Sequence, residues 1–197
     1  MSVLLDAGPA LNFLAVGQEN ILIRTADSKG LALAVPQRVE KEILGMCQDA
    51  RFQPTPTQAT WHKLKAAGRI AVLADTLDTQ QLIDAVTRIS GQPARDRVRS
   101  GKSLGEIMVL AHASVLVQQG IDVFVLIDDG DARRRAKQEI NWLQVNKALG
   151  QLALWSTGQV LLHASQQEGW IKGGLTWEAV YAQMRRFDDG LRPPPRR

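Results

Sequence analysis

Five short apolar runs, at residues 2–5, 31–35, 70–73, 123–127 and 151–155, recur along a 197-residue chain with helical segments between them. An apolar run of four to eight residues bounded by turn signals reads as a strand buried on both faces. Such strands alternating with helices restrict the fold to a parallel sheet covered by helices on both sides. The expectation is therefore an α/β chain, a three-layer α/β/α sandwich with a central parallel sheet. Helices are expected at about 9–16, where Pro9 supplies a start signal, and at 37–49, 58–67, 77–90, 103–119, 131–148, 157–167 and 176–187. Ile21, Leu22 and Ile23 continue an apolar patch. Ser90 to Lys102 is polar, carries Gly91, Pro93 and Gly101, and reads as a mobile loop. The end of the chain, RPPPRR, reads as frayed.

Carboxylates follow these strands. Asp6 ends the first run, and Asp128 and Asp129 end the fourth. Parallel strands point the same way, so Asp6 and Asp128 are expected on one edge, the carboxyl edge where open α/β sheets bind ligands. Glu42 lies on the helix after the second strand and Glu106 in the first turn of the helix before the fourth. Carboxylates held together repel one another, and a hard divalent cation relieves that. A water activated by such a cation can attack a phosphodiester. Each acid also has a purely structural reading. Asp131 suits the N-cap of its helix. Ser103 and Glu106 have the spacing of a capping box, Glu42 could lie on a solvated face, and Asp6 or Asp128 could cap a helix. The signal lies in the set.

Composition excludes several classes. Hydrophobic residues make up 45% and charged residues 22%, as in ordinary globular proteins. No apolar run approaches the roughly 18 residues that span a bilayer, so no membrane partner is expected. The N-terminal segment has no basic flank and meets Asp6 early, unlike a signal peptide. A single Cys47 cannot form an intrachain disulfide, and a reducing cytoplasm is the expected location. The net charge of +4 is compatible with a polyanionic partner. His62, His112 and His163 show no paired metal spacing. Trp142, Trp155, Trp170 and Trp177 read as packing residues of the C-terminal half. A receiver-type phosphotransfer site is disfavoured, because its acid pair follows the first strand and a Lys follows the last, and residues 151–158 hold no Lys.

Five blocks, in order, resemble PIN-domain proteins, in particular the PIN-like nucleic-acid-binding proteins related to VapC-type toxins. They are LLDAGPALNFLAVGQENILI, VPQRVEKEI, SLGEIMVLAHA, VLIDDGDARRRA and ALWSTGQVLLHASQQEGWI. They span residues 3 to 171 except for about 53–102. The resemblance implies a PIN-like domain over 1–175 with an unmatched insert at 53–102, then a C-terminal helix and basic tail at 176–197. It implies a Mg²⁺- or Mn²⁺-dependent ribonuclease site, with Asp6, Glu42, Glu106 and Asp128 catalytic and Asp6, Glu106 and Asp128 holding the metal. Asp129 and Arg133 match supporting positions. Arg95, Arg97, Arg99 and Lys102 are expected to hold RNA phosphates. A toxin of this kind would have an antitoxin partner, and apolar surface on the C-terminal helices could serve a homodimer. The chain departs from the pattern at Ala7 and Gly8, where hydroxyl residues are usual, and at Met108 and Val109, where a second acid is absent.

Overall fold

The computed structural model describes residues 1–101 and 103–191; Lys102 and the basic tail 192–197 lie outside the described residues. The strands β1 (Ser2–Leu5), β2 (Ala32–Pro36), β3 (Ala71–Leu73), β4 (Val123–Leu126) and β5 (Leu152–Trp155) form one parallel sheet in the order β3-β2-β1-β4-β5. The chain is thus α/β, with a central five-stranded all-parallel sheet flanked by helices. β1 sits in the middle, with Leu5 opposite Leu126 on one side and Leu4 opposite Ala34 on the other. The chain winds outward from β1 to β3, then returns to β4 and winds the other way. Its switch point is the gap between β1 and β4. Ligands of such sheets bind in that crevice, outside the carboxyl ends of the strands.

The helices divide into two groups. α1 (Ala7–Ala15), α2 (Glu19–Ser28), α9 (Thr157–Ser165) and α10 (Trp177–Met184) form a chain of packed neighbours, α4 (Thr57–Ala66) joins α1, and α3 (Gln37–Met46) packs on both α1 and the helix Leu104–Gln118. α5 (Gln80–Ser90), α7 (Leu104–Gln118) and α8 (Gly130–Val145) form the other group, with α7 touching both neighbours as well as the sheet. That sandwiched position explains why α7 is apolar all round, with Leu104, Ile107, Met108, Val109, Leu110 and Ala111 all buried. Among the described residues no helix is long and apolar enough to cross a membrane.

Four expectations need correction. Residues 19–28 are a helix, α2, rather than the continuation of an apolar patch. Its polar residues outnumber its apolar ones, and packing of Ile21, Leu22 and Ala26 on the core decides its conformation. α1 starts at Ala7, two residues before Pro9. The C-terminal helix ends at Met184, short of residue 187. The segment 90–102 is not an open loop: α6 (Ala94–Arg97) forms within it and buries Ala94 and Arg97.

Residues 53–101 belong to the body of the domain. They supply the edge strand β3 and the whole of α5. Leu82, Ala85 and Val86 of α5 close a second apolar cluster with Ala94, Leu104, Ile107, Met108 and Ala111. One ion pair fastens this layer. Glu139 on α8 is 3% exposed and accepts from both Nε and Nη2 of Arg88 on α5, at 3.1 and 2.6 Å, and from Ser114 Oγ at 2.6 Å. The Arg88 guanidinium also lies 3.5 Å from the centroid of the Trp142 ring. α10 shares the main core too, through Val180, Tyr181 and Met184. Removing one partner of a buried pair strands the other charge. Glu139→Ala is therefore expected to lower unfolding free energy by about 3–5 kcal/mol, read as a shift of the urea midpoint. Exposed Asp131→Ala, whose pair with Arg134 is solvated, is expected to cost under about 1 kcal/mol.

Candidate active site at the carboxyl edge of the sheet

Asp6 is the innermost group of the site. The backbone N–H of Asp6 donates to Leu126 O of β4 at 3.1 Å, and its carbonyl accepts the first bond of α1 from Ala10 at 3.2 Å. It therefore stands at the N-cap position, yet its side chain makes no capping bond. The carboxyl is left 9% exposed. Burial raises its pKa from the ordinary 3.8 to about 7; the Ala7 N–H opposes this, and the charges of Glu106, Glu42 and Asp128 add to it. The four acids expected at the site thus lie within electrostatic reach of one another.

The other three are held by different means. Asp128, two residues past β4, accepts from the backbone N–H of Thr157 at 2.9 Å and from Thr157 Oγ1 at 2.5 Å. Burial still raises its pKa; Thr157 opposes the shift, and Asp188 adds to it. Glu106 accepts from Arg135 Nη1 at 3.3 Å. Its pKa is raised by burial first and by Asp129 next, against the pull of Arg135. Glu42 accepts from Arg38 Nε one turn earlier on α3, at 3.0 Å, and Arg38 also donates to Gly101 O at 3.2 Å. Gly105, just before Glu106, gives the Glu42 carboxylate its place. A Cβ on residue 105 would overlap that carboxylate, with Glu42 Cδ only 2.9 Å away. Two acids from different helices meet because residue 105 has no side chain.

Several residues have roles other than those expected. The N-cap of α8 is Asp129, whose carboxylate accepts from the N–H groups of Asp131 and Ala132 at 2.8 Å each. Asp131 is exposed and pairs with Arg134. Glu106 is in no capping box, since Ser103 has a left-handed backbone (φ 50°) and makes no capping bond. Arg133 donates to the carbonyls of Ile127 and Trp155, at 2.8 and 3.0 Å, tying together the chain ends beyond β4 and β5. Of the residues expected to grip RNA, Arg95 and Arg99 are exposed, and Lys102 lies outside the described residues. Arg97 is 7% exposed, bonds to Ser100 Oγ, and has Arg135, Glu106 and Arg38 as electrostatic neighbours. It belongs beneath the acid site and not on an exposed RNA-binding loop.

Some participants left little trace in the sequence. Asp188, beyond α10, accepts from Asn12 Nδ2 of α1 at 2.8 Å and would stand 3.5 Å from a Cβ on Gly8. A fifth carboxylate thus sits beside α1, close to a position where the family pattern has a hydroxyl. Its DDG setting gives no signal beyond that of a turn. Thr157 had a signal: a hydroxyl residue opening the helix after the last strand, at the same edge as the acids.

The gathered donors are all carboxylate oxygens, the ligand type that hard divalent cations take, and one of them, Asp6, keeps its proton to about pH 7 through burial first, with the neighbouring carboxylates adding. Among the described residues no three His, Cys, Asp or Glu side chains stand close enough to hold one ion. Asp6, Glu106 and Asp128, the three residues expected to hold the metal, do not form such a group. No family model, curated protein or solved structure matches this chain.

The state of Asp6 makes stability depend on pH. The unfolded chain releases this proton near pH 3.8, whereas the folded chain keeps it until about 7. Between those values the folded state binds more protons, so stability falls as pH rises, by about 1.4 kcal/mol per unit. Below 3.8 and above 7 this contribution is flat. Asp6→Asn lacks the slope. Relative to wild type it is expected to gain roughly 3 kcal/mol of stability between pH 5 and pH 8, measured by urea unfolding at each pH. Parallel wild-type and variant curves would show that Asp6 ionises freely.

Proposed function

We propose that this chain is a Mg²⁺- or Mn²⁺-dependent ribonuclease of PIN type that hydrolyses RNA phosphodiesters at the carboxyl edge of its sheet. The observation that supports it is the buried carboxyl of Asp6 at the switch point, with Glu42, Glu106 and Asp128 all raising its pKa. A buried acid surrounded by like charge is costly, and such groups concentrate at functional sites. The motif residues that resemble PIN-domain proteins are the same ones that gather there.

Asp6 and Asp128 would hold the cation, with Glu106 beside them and Glu42 orienting a water. When bound, the cation lowers the pKa of water and stabilises charge on the phosphoryl oxygens. The chain's own groups do the rest. Thr157 fixes the Asp128 carboxylate with two hydrogen bonds, so its orientation needs no adjustment when substrate arrives. Arg38 and Arg135 steady Glu42 and Glu106, and with Arg97 they provide a positive field for the scissile phosphate. A toxin role beside an antitoxin, a homodimer and a cytoplasmic location that keeps Cys47 reduced belong to the same proposal.

Cleavage of mixed RNA in Mn²⁺ or Mg²⁺ tests it. Asp6→Asn and Asp128→Asn are expected to abolish hydrolysis, and Thr157→Val to slow it by about 10- to 100-fold. Equal rates in wild type and the two Asn variants would sink the assignment. Gly105→Ala is the subtler test. Alanine favours the helix by up to about 1 kcal/mol, and the group it displaces is the mobile end of Glu42. Stability is expected to hold or rise while cleavage falls to the level of Glu42→Gln.

One observation favours a second reading, a non-catalytic PIN-fold module that binds RNA or a protein. Two of the four acids already have arginine partners. Calorimetry decides between them: no heat of Mn²⁺ binding at millimolar metal would favour the binding module.

A further inference from the structure

A cleft of about 960 Å³ opens between α8, the start of α9 and α10, and Asp128 forms part of its wall. Its lining separates by chemistry. Arg134 and Lys137 stand three residues apart on α8, on one exposed face, with Asn141 one turn further. Trp177 of α10 lines the same cleft, half-buried against the core and set edge-on to Tyr181 at 6.5 Å between ring centroids. Gln159 of α9 adds an amide. Among the described residues Arg134 is paired with exposed Asp131, a contact that solvent makes weak and exchangeable. Among the described residues of the lining, Asp128 is the one acid.

Cations, a flat aromatic and amides in the lining of one cleft match the three parts of a nucleotide: phosphate, base face and base edge. An acidic peptide would use the cations and leave the indole idle. A duplex would keep its bases stacked on one another and out of reach of Trp177. We propose that this cleft is the binding track for single-stranded nucleic acid, with phosphates on Arg134 and Lys137 and one base stacked on Trp177, leading the strand to Asp128. This rests on the nuclease reading only for what happens at the end of the track. It also moves the expected RNA contacts from the 95–102 segment to α8.

The test is fluorescence anisotropy of a short, labelled, single-stranded oligoribonucleotide with the full chain in EDTA, where hydrolysis does not interfere. Arg134→Ala/Lys137→Ala is expected to weaken binding at least about tenfold at low salt. It should also flatten the slope of log K against log salt by about 1.4, two phosphate contacts at about 0.7 each. Trp177→Ala is expected to cost about tenfold, and Trp177→Phe to restore most of it. The two α8 side chains are exposed, so the double variant folds even if Trp177→Ala does not. Absence of wild-type binding overturns the proposal. So does full affinity in the cleft variants with loss in Arg95→Ala/Arg99→Ala. Displacement of RNA by polyglutamate as readily as by unlabelled RNA, with Trp177→Ala silent, overturns it as well. Binding through the cleft without hydrolysis in Mn²⁺ leaves the track in place and removes the nuclease reading. Hydrolysis indifferent to the cleft variants does the reverse.

Discussion

The pairing of β1 with β4 is the constraint from which the site follows. Leu5 lies opposite Leu126, and the N–H of Asp6 continues the ladder by donating to Leu126 O. That bond fixes Asp6 at the edge, with its carboxyl facing the crevice and not the core. A slip of one residue would exchange the two faces of β1 and put Leu5 or Ala7 where the carboxyl stands. The register holds because β1 is buried on both faces, with Val3, Leu4 and Leu5 all in the core. The same apolar run that makes the strand therefore also positions the acid that follows it.

The sheet and the acids were legible in the sequence because each is a local signal. An apolar run announces its strand, and the next carboxylate is at the edge by direction alone. α2 was not legible, because its helix depends on tertiary packing and not on its own composition. Asp129 and Asp131 show a finer limit. Either suits a cap, and the choice turns on where the backbone first becomes helical, at Gly130. Glu106 failed as a capping-box residue for a related reason, since spacing says nothing about the left-handed turn at Ser103. Arg97 misled because a basic residue in a Gly- and Pro-containing segment looks solvated. Burial of Ala94 and Arg97 against the α5 layer is a property of the fold and not of that segment.

The positions at which the chain differs from the PIN-domain pattern that it resembles also have physical readings. Met108 is buried in the cluster under α5, so an acid there would face apolar side chains and not the crevice. Its absence therefore removes nothing from the edge. Gly8 leaves the approach to α1 open, and Asp188 comes in beside it, held by Asn12. The segment that carries Asp188 is well fixed: Phe187 packs on Phe52 at 5.4 Å between ring centroids, and Leu191 is buried. The C-terminal segment lines the cleft between α8 and α10 through Gly190, which also lines a cavity shared with Gly8, Glu42 and Asp188.

The acids of the site fall into two electrostatic kinds. Glu42 and Glu106 come from helices, are partly exposed, and each has an arginine within ion-pair distance. Asp6 and Asp128 come from strand ends and are deeper; burial is the largest influence on each, and it works against their charge. For Asp128 the two hydrogen bonds from Thr157 offset part of that cost. Asp6 has no comparable compensation, and its proton stays on to about pH 7. A fold selected only for stability would place a neutral side chain at residue 6, because a carboxyl there weakens the protein as pH rises. At residue 6 that cost comes from burial first, with the charges of Glu106, Glu42 and Asp128 adding to it.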